Sequence, residues 1–127
     1  MIQNLFAVGL GGALGSIARY LLASCSLGTV VLFGFPAGTF AVNTIGSLLI
    51  GILMGVLKGG NPLSLLLITG FCGGFTTFST FSADTLKLLR MGEMASASLY
   101  VVLSIVIALL ATALGLWIGT IITKLTA

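Results

Sequence analysis

The 127-residue chain is 58% hydrophobic and 6% charged, with five bases, two acids and a mean hydropathy of +1.30. A soluble domain carries about 25% charged residues, so this chain cannot cover a soluble surface and reads as an integral membrane protein. A net charge of +3 spread over so few bases excludes a nucleic-acid surface, and no histidine is present to help build a transition-metal site.

The first apolar run covers residues 5–24, and about 20 residues suffice to cross a bilayer. Leu22-Ala23-Ser24-Cys25 resembles a lipoprotein cleavage box. Against processing, Met1-Ile2-Gln3-Asn4 carries no basic side chain and Arg19 interrupts the apolar run. Cys25 and Cys72 are isolated from each other and read as small hydrophobes rather than a disulfide. Gly11 and Gly15 form a close-approach pair for another helix.

Residues 26–36 read as a short uncharged loop ending in Phe35-Pro36, with the proline placed to start a helix. The second span covers residues 37–57. It carries a second glycine pair, Gly51 and Gly55, and one polar interruption, Asn43. Lys58-Gly59-Gly60-Asn61-Pro62 is a turn.

The third span covers residues 63–89 and contains the least lipid-like stretch of the chain. Residues 70–82 read Gly-Phe-Cys-Gly-Gly-Phe-Thr-Thr-Phe-Ser-Thr-Phe-Ser: three glycines, four phenylalanines and six hydroxyl or thiol side chains. The apolar pieces on either side are each too short to span alone. This pattern predicts a helix broken near residues 73–78, whose irregular backbone must be buried in protein or line a cavity. The last span covers residues 95–122. Four spans make one all-α transmembrane domain over residues 1–127.

With both termini on one side, Lys58 and Lys124 lie opposite Lys87 and Arg90. The positive-inside rule therefore gives almost no bias. The chain can insert in both orientations and pair antiparallel, or one orientation is set by details of insertion. Charge counting leaves both open.

Intramembrane ionisable groups default to functional candidates. Asp84 and Arg19 qualify, although both also fit residues that snorkel to water or pair with each other. Asn43 offers amide donors for an anion, or equally a helix–helix hydrogen bond. Phe75, Phe78 and Phe81 recur at helical spacing, which places them on one face. Their positive ring edges suit a small anion, but spacing alone favours ordinary packing. Ser96, Tyr100, Ser104 and Thr112 form a hydroxyl stripe with a gap at Ala108. Back-bonding to preceding carbonyls is the plainer reading for its Ser and Thr members. No catalytic constellation is visible, so an enzyme is not expected.

Asn43, the string over residues 70–82, the hydroxyl stripe before Thr112-Ala113-Leu114-Gly115, Arg19 and the length together resemble the CrcB/Fluc fluoride channels, across essentially the whole chain. The resemblance implies an antiparallel, dual-topology homodimer in the inner membrane that exports fluoride passively and lowers its toxicity. The dimer would hold two narrow pathways built from both chains. It further implies that Asn43, Phe78, Phe81, Tyr100, Ser104 and Thr112 line the fluoride pathway and that Arg19 stands at the vestibule. Gly73 and Thr76 would hold a central structural Na+ through their backbone carbonyls. Ala108 stands where relatives often carry serine and Asp84 where they carry glutamate. The partners implied are a second copy, fluoride and the bilayer, with no nucleic acid.

Two other classes fit parts of the pattern. A small proton-coupled multidrug exporter also builds antiparallel four-span dimers, but the first span offers Arg19 rather than an acid. An assembly or insertion factor would use the glycines and phenylalanines for packing only.

Overall fold

The computed structural model describes residues 1–25 and 29–127. It is predominantly helical, with helix α1 (Ile2–Ser24), strands β1 (Val31–Leu32) and β2 (Phe35–Pro36), and helix α2 (Ala37–Val56). A short helix α3 (Pro62–Ser64) runs into a π-helix (Leu65–Cys72) and a last turn α4 (Gly73–Phe75). Helices α5 (Phe78–Arg90) and α6 (Met94–Thr126) follow. Four segments are long and apolar enough to cross a membrane: Ile2–Ser24, Ala37–Val56, Pro62–Arg90 and Met94–Thr126. The large side chains exposed along α6, among them Leu109, Leu110 and Trp117, are those expected where a helix faces hydrocarbon.

Residues 26–28 of the expected loop lie outside the described residues. From Val31 onward the segment is an antiparallel hairpin that pairs Val31 with Pro36 and Leu32 with Phe35. Its two central residues, Phe33 (φ 48°) and Gly34 (φ 86°), both have positive φ, the conformation whose twist matches a two-residue hairpin. The hairpin drives Phe35 inward, where its ring stacks on Tyr100 at 4.8 Å. Ala37 N–H donates to Val30 O at 3.0 Å, so the hairpin also fixes where α2 begins. A Cβ at Gly34 would collide with Ser96 Oγ. Gly34→Ala therefore meets both an unfavourable φ and a clash. It is expected to destabilise the protein by about 1–2 kcal/mol, read as a lowered melting temperature in detergent.

Packing is organised by glycines. A Cβ at Gly11 or Gly15 would run into the Leu66 and Phe71 carbonyls, so α1 lies directly against the backbone of the π-helix. Gly51 and Gly55 meet Gly115 and Gly119 of α6 reciprocally, each filling space that the other leaves. Without a hydrophobic drive between helices in lipid, backbone contact of this kind provides the dispersion energy that holds spans together.

A small aromatic core of Phe35, Phe81, Leu88, Ala97 and Tyr100 gathers the hairpin, α5 and α6. Asn61 caps α3 by accepting from Ser64 N–H at 2.7 Å, with Pro62 in the first turn where it forfeits no bond. The π-helix has no counterpart in the sequence reading. Its wider turn is rare in proteins and is found mostly next to functional positions.

Candidate functional site

The backbone between α4 and α5 leaves helical geometry at Thr76 (φ −83°, ψ 158°) and Thr77 (φ −149°, ψ 114°). Asn43 of α2 meets this point with both ends of its amide. Thr77 N–H donates to Asn43 Oδ1 at 2.8 Å, and Asn43 Nδ2 donates to the Thr77 carbonyl at 3.1 Å. Thr77 caps α5 in turn, its Oγ1 accepting from Thr80 N–H at 3.2 Å. The Gly74 carbonyl accepts from Arg19 Nε at 3.1 Å.

These bonds have a consequence for the preceding turn. In a continuous helix Thr77 N–H would serve the Gly73 carbonyl and Thr80 N–H the Thr76 carbonyl. Both donors are diverted, one to Asn43 and one to the Thr77 hydroxyl, so two carbonyls lose their helical partners. Gly73 is exposed, and a Cβ there would meet nothing within 4 Å. Among the described residues no group of three or more His, Cys, Asp or Glu could hold a metal ion. The donors on offer are carbonyl oxygens, which suit a hard cation.

The bend opens onto a groove of about 610 Å³. Asn43, Gly73, Thr76, Phe78, Phe81 and Ser104 all line it, and among the described residues no charged side chain does. Ser104 lines the groove, and its Oγ is buried without a hydrogen-bond partner among the described residues. Phe78 is 79% exposed and Phe81 9%, their rings 5.6 Å apart. Phe81 also meets Tyr100 edge-on at 5.0 Å.

The expected common face of Phe75, Phe78 and Phe81 is not formed. That expectation carried helical periodicity through Thr76 and Thr77, whose extended backbone rotates Phe75 away. Phe75 instead stacks on Phe71 at 5.8 Å within its own helical piece, beneath the position where Gly46 leaves room for it.

The hydroxyl stripe on α6 is divided among different partners. Ser96 lies beside the hairpin glycine, Gly34. Tyr100 is buried and donates to Asp84 Oδ2 at 3.2 Å. Thr112 Oγ1 donates to the Ala108 carbonyl at 2.9 Å, the back-bonding arrangement, and Ala108 rather than Thr112 lines the groove. Of the four hydroxyls only Ser104 reaches the groove in one chain. Arg19 and Asp84 do not pair with each other, since each is committed elsewhere. Cys25 and Cys72 are free thiols, Cys72 buried on the groove wall.

Sequence reasoning singled out Asn43 but not its partner, and it missed Thr77 as a separate actor. A threonine directly before a helical run is a helix-cap pattern, which was the available clue.

Residues 6–116 match the family described as CrcB-like protein, Camphor Resistance (CrcB). The chain is 42% identical over 127 residues to a protein of Flavobacterium psychrophilum named fluoride-specific ion channel FluC, covering 97% of this chain and 98% of that one. It is 48% identical over 112 residues to a Cereibacter sphaeroides protein of the same name, covering 86% and 88%. A Paracoccus denitrificans protein, also so named, is 46% identical over 121 residues, covering 94% and 96%.

Proposed function

The chain belongs to the CrcB-like family, and from that premise we propose that it is a fluoride-selective channel that lets F⁻ leave the cell passively across the inner membrane. The observation that carries the reading is the uncharged groove at the Thr76–Thr77 bend, open along one side of a chain built to lie in lipid. Irregular backbone is not tolerated against hydrocarbon, because each unmatched polar group there costs several kcal/mol. The groove must therefore be covered by protein. A second copy inserted antiparallel is the cover proposed, which the near-cancelling charges of Lys58 and Lys124 against Lys87 and Arg90 permit.

Fluoride is small and strongly hydrated, so a pathway for it needs close, oriented donors rather than a wide basic pore. Asn43 spends one amide N–H on the Thr77 carbonyl and keeps the second for an anion. Ser104 brings an uncommitted hydroxyl to the same groove. Phe78 and Phe81 add ring edges, which are electropositive without carrying a charge that would hold the ion too long. Tyr100, fixed by Asp84, stands behind Phe81 and orients it, while Thr112, back-bonded to the Ala108 carbonyl, is the pathway residue implied by the resemblance that a single chain keeps off the groove. Arg19 uses one of its five donors on Gly74 and leaves the others for the vestibule.

The freed Gly73 and Thr76 carbonyls fit a structural sodium ion shared by the two chains. Such an ion would supply fixed positive charge in the low-dielectric centre. The roles assigned require no chemical step, in keeping with a channel rather than an enzyme. The exporter alternative needs a membrane carboxylate free to exchange protons with substrate, and Asp84 is already engaged by Tyr100.

Purified protein in liposomes loaded with fluoride is expected to release it electrogenically when potassium and valinomycin clamp the voltage. An identical chloride-loaded preparation should hold its gradient. Equal fluoride retention in empty and protein-containing liposomes would sink the channel reading.

A further inference from the structure

We infer that Asn43 and Thr77 are positioning residues for the cation site, because they strip the Gly73 and Thr76 carbonyls of their helical donors. This rests on the sodium reading above and deepens it. A helix places N–H of residue i+4 on the carbonyl of residue i. At Gly73 that donor is Thr77 N–H, held instead on Asn43 Oδ1 at 2.8 Å; at Thr76 it is Thr80 N–H, held on Thr77 Oγ1 at 3.2 Å. A carbonyl that keeps its helical bond has a lone pair already engaged and less to offer a cation. One side-chain oxygen thus protects each freed carbonyl from being recaptured by its own chain.

Asn43 closes the arrangement by donating to the Thr77 carbonyl at 3.1 Å, which fixes the Thr77 peptide from both sides. The two residues act in series, since Thr77 must be held extended before its hydroxyl can turn to Thr80. Neither side chain has to touch the cation. Their effect is to keep two backbone oxygens available on the groove wall, where Gly73 and Thr76 both lie.

The test is the thermal stability of the full-length protein in detergent, titrated with NaCl at constant ionic strength against N-methyl-D-glucamine chloride. The wild-type protein should gain stability with sodium. Thr77→Val removes the cap oxygen while conserving shape, and Asn43→Ser withdraws the acceptor from Thr77 N–H. Each is expected to raise the sodium concentration needed for half of the gain by about tenfold, the equivalent of one lost cap-strength interaction.

Thr77→Ser keeps the hydroxyl and should restore the wild-type midpoint. A residue that only stabilised the fold would lower the melting temperature equally with and without sodium and leave the midpoint in place. That result overturns the inference while leaving the cation site standing. A wild-type protein indifferent to sodium overturns the cation reading itself. If Thr77→Val yields no folded protein, Asn43→Ser and Thr77→Ser still give the comparison, and equal midpoints in both count against the inference.

Discussion

Gly115→Ala is expected to destabilise the protein by about 2–3 kcal/mol, although alanine is the better helix former by about 1 kcal/mol. The added methyl would collide with the Leu48 carbonyl and approach Ile52 N at 2.9 Å and Gly51 Cα at 3.1 Å. All three are backbone atoms of α2 and none can swing aside as a side-chain tip would. Relief requires α2 and α6 to separate, which breaks the reciprocal contact of Gly51 and Gly55 with Gly115 and Gly119. Separating that contact also loosens the frame that holds Asn43 against Thr77.

The control has the opposite sign. Gly9 is also a helical glycine, exposed on α1, and a Cβ there would meet nothing within 4 Å. Gly9→Ala should be neutral or gain a few tenths of a kcal/mol from propensity alone. Melting both variants in detergent, read by loss of the monodisperse peak after heating, separates packing from propensity. Equal melting temperatures for the two would mean that the α2–α6 seam is not tight.

The seam shows what the sequence can and cannot express. The Gly51 and Gly55 spacing announces close approach, but nothing in one sequence says which span approaches. The answer lies in α6, more than fifty residues on, in Gly115 and Gly119, a pair at the same spacing that the sequence reading passed over. The third span carries a different kind of signal. Residues 70–82 concentrate glycine and hydroxyls where a spanning helix needs neither, and the extended backbone at Thr76 and Thr77 falls inside that string.

What was not legible is the identity of the partners that replace the lost helical bonds. Asn43 and Thr77 are 34 residues apart, and only the packing of α2 against the bend brings the amide to the peptide. The phenylalanine periodicity misled because it counts residues as though the helix continued. Two extended residues break the phase, so Phe75 belongs with Phe71 and only Phe78 and Phe81 remain together. The π-helix ahead of the bend left no trace in residue type, since leucine, isoleucine and phenylalanine suit an α-helix equally well.

The two remaining rings differ in a way that sharpens the functional test. Phe81, 9% exposed, belongs to the core with Tyr100 and Phe35, so its replacement disturbs packing as well as any ion contact. Phe81→Ile would forfeit an aromatic pair worth about 0.5–1.5 kcal/mol, and a fall in flux would then have two explanations. Phe78 is 79% exposed at the first position of α5, and within a single chain its ring contact is the one with Phe81. Phe78→Ile keeps the apolar bulk and removes the electropositive edge. It forfeits the pairing with Phe81 but little burial, and is expected to destabilise the chain by no more than about 1 kcal/mol. Fluoride efflux from liposomes should fall about tenfold or more, the loss of roughly 1.4 kcal/mol of stabilisation at the barrier. Dimer content, measured by glutaraldehyde cross-linking on the same preparation, should not change. If cross-linked dimer and flux decline together in Phe78→Ile, the ring serves assembly and the anion-facing role assigned to it is wrong. If flux alone declines, the edge of Phe78 acts on the ion, and the exposure of so large an apolar ring at the mouth of the groove has its explanation.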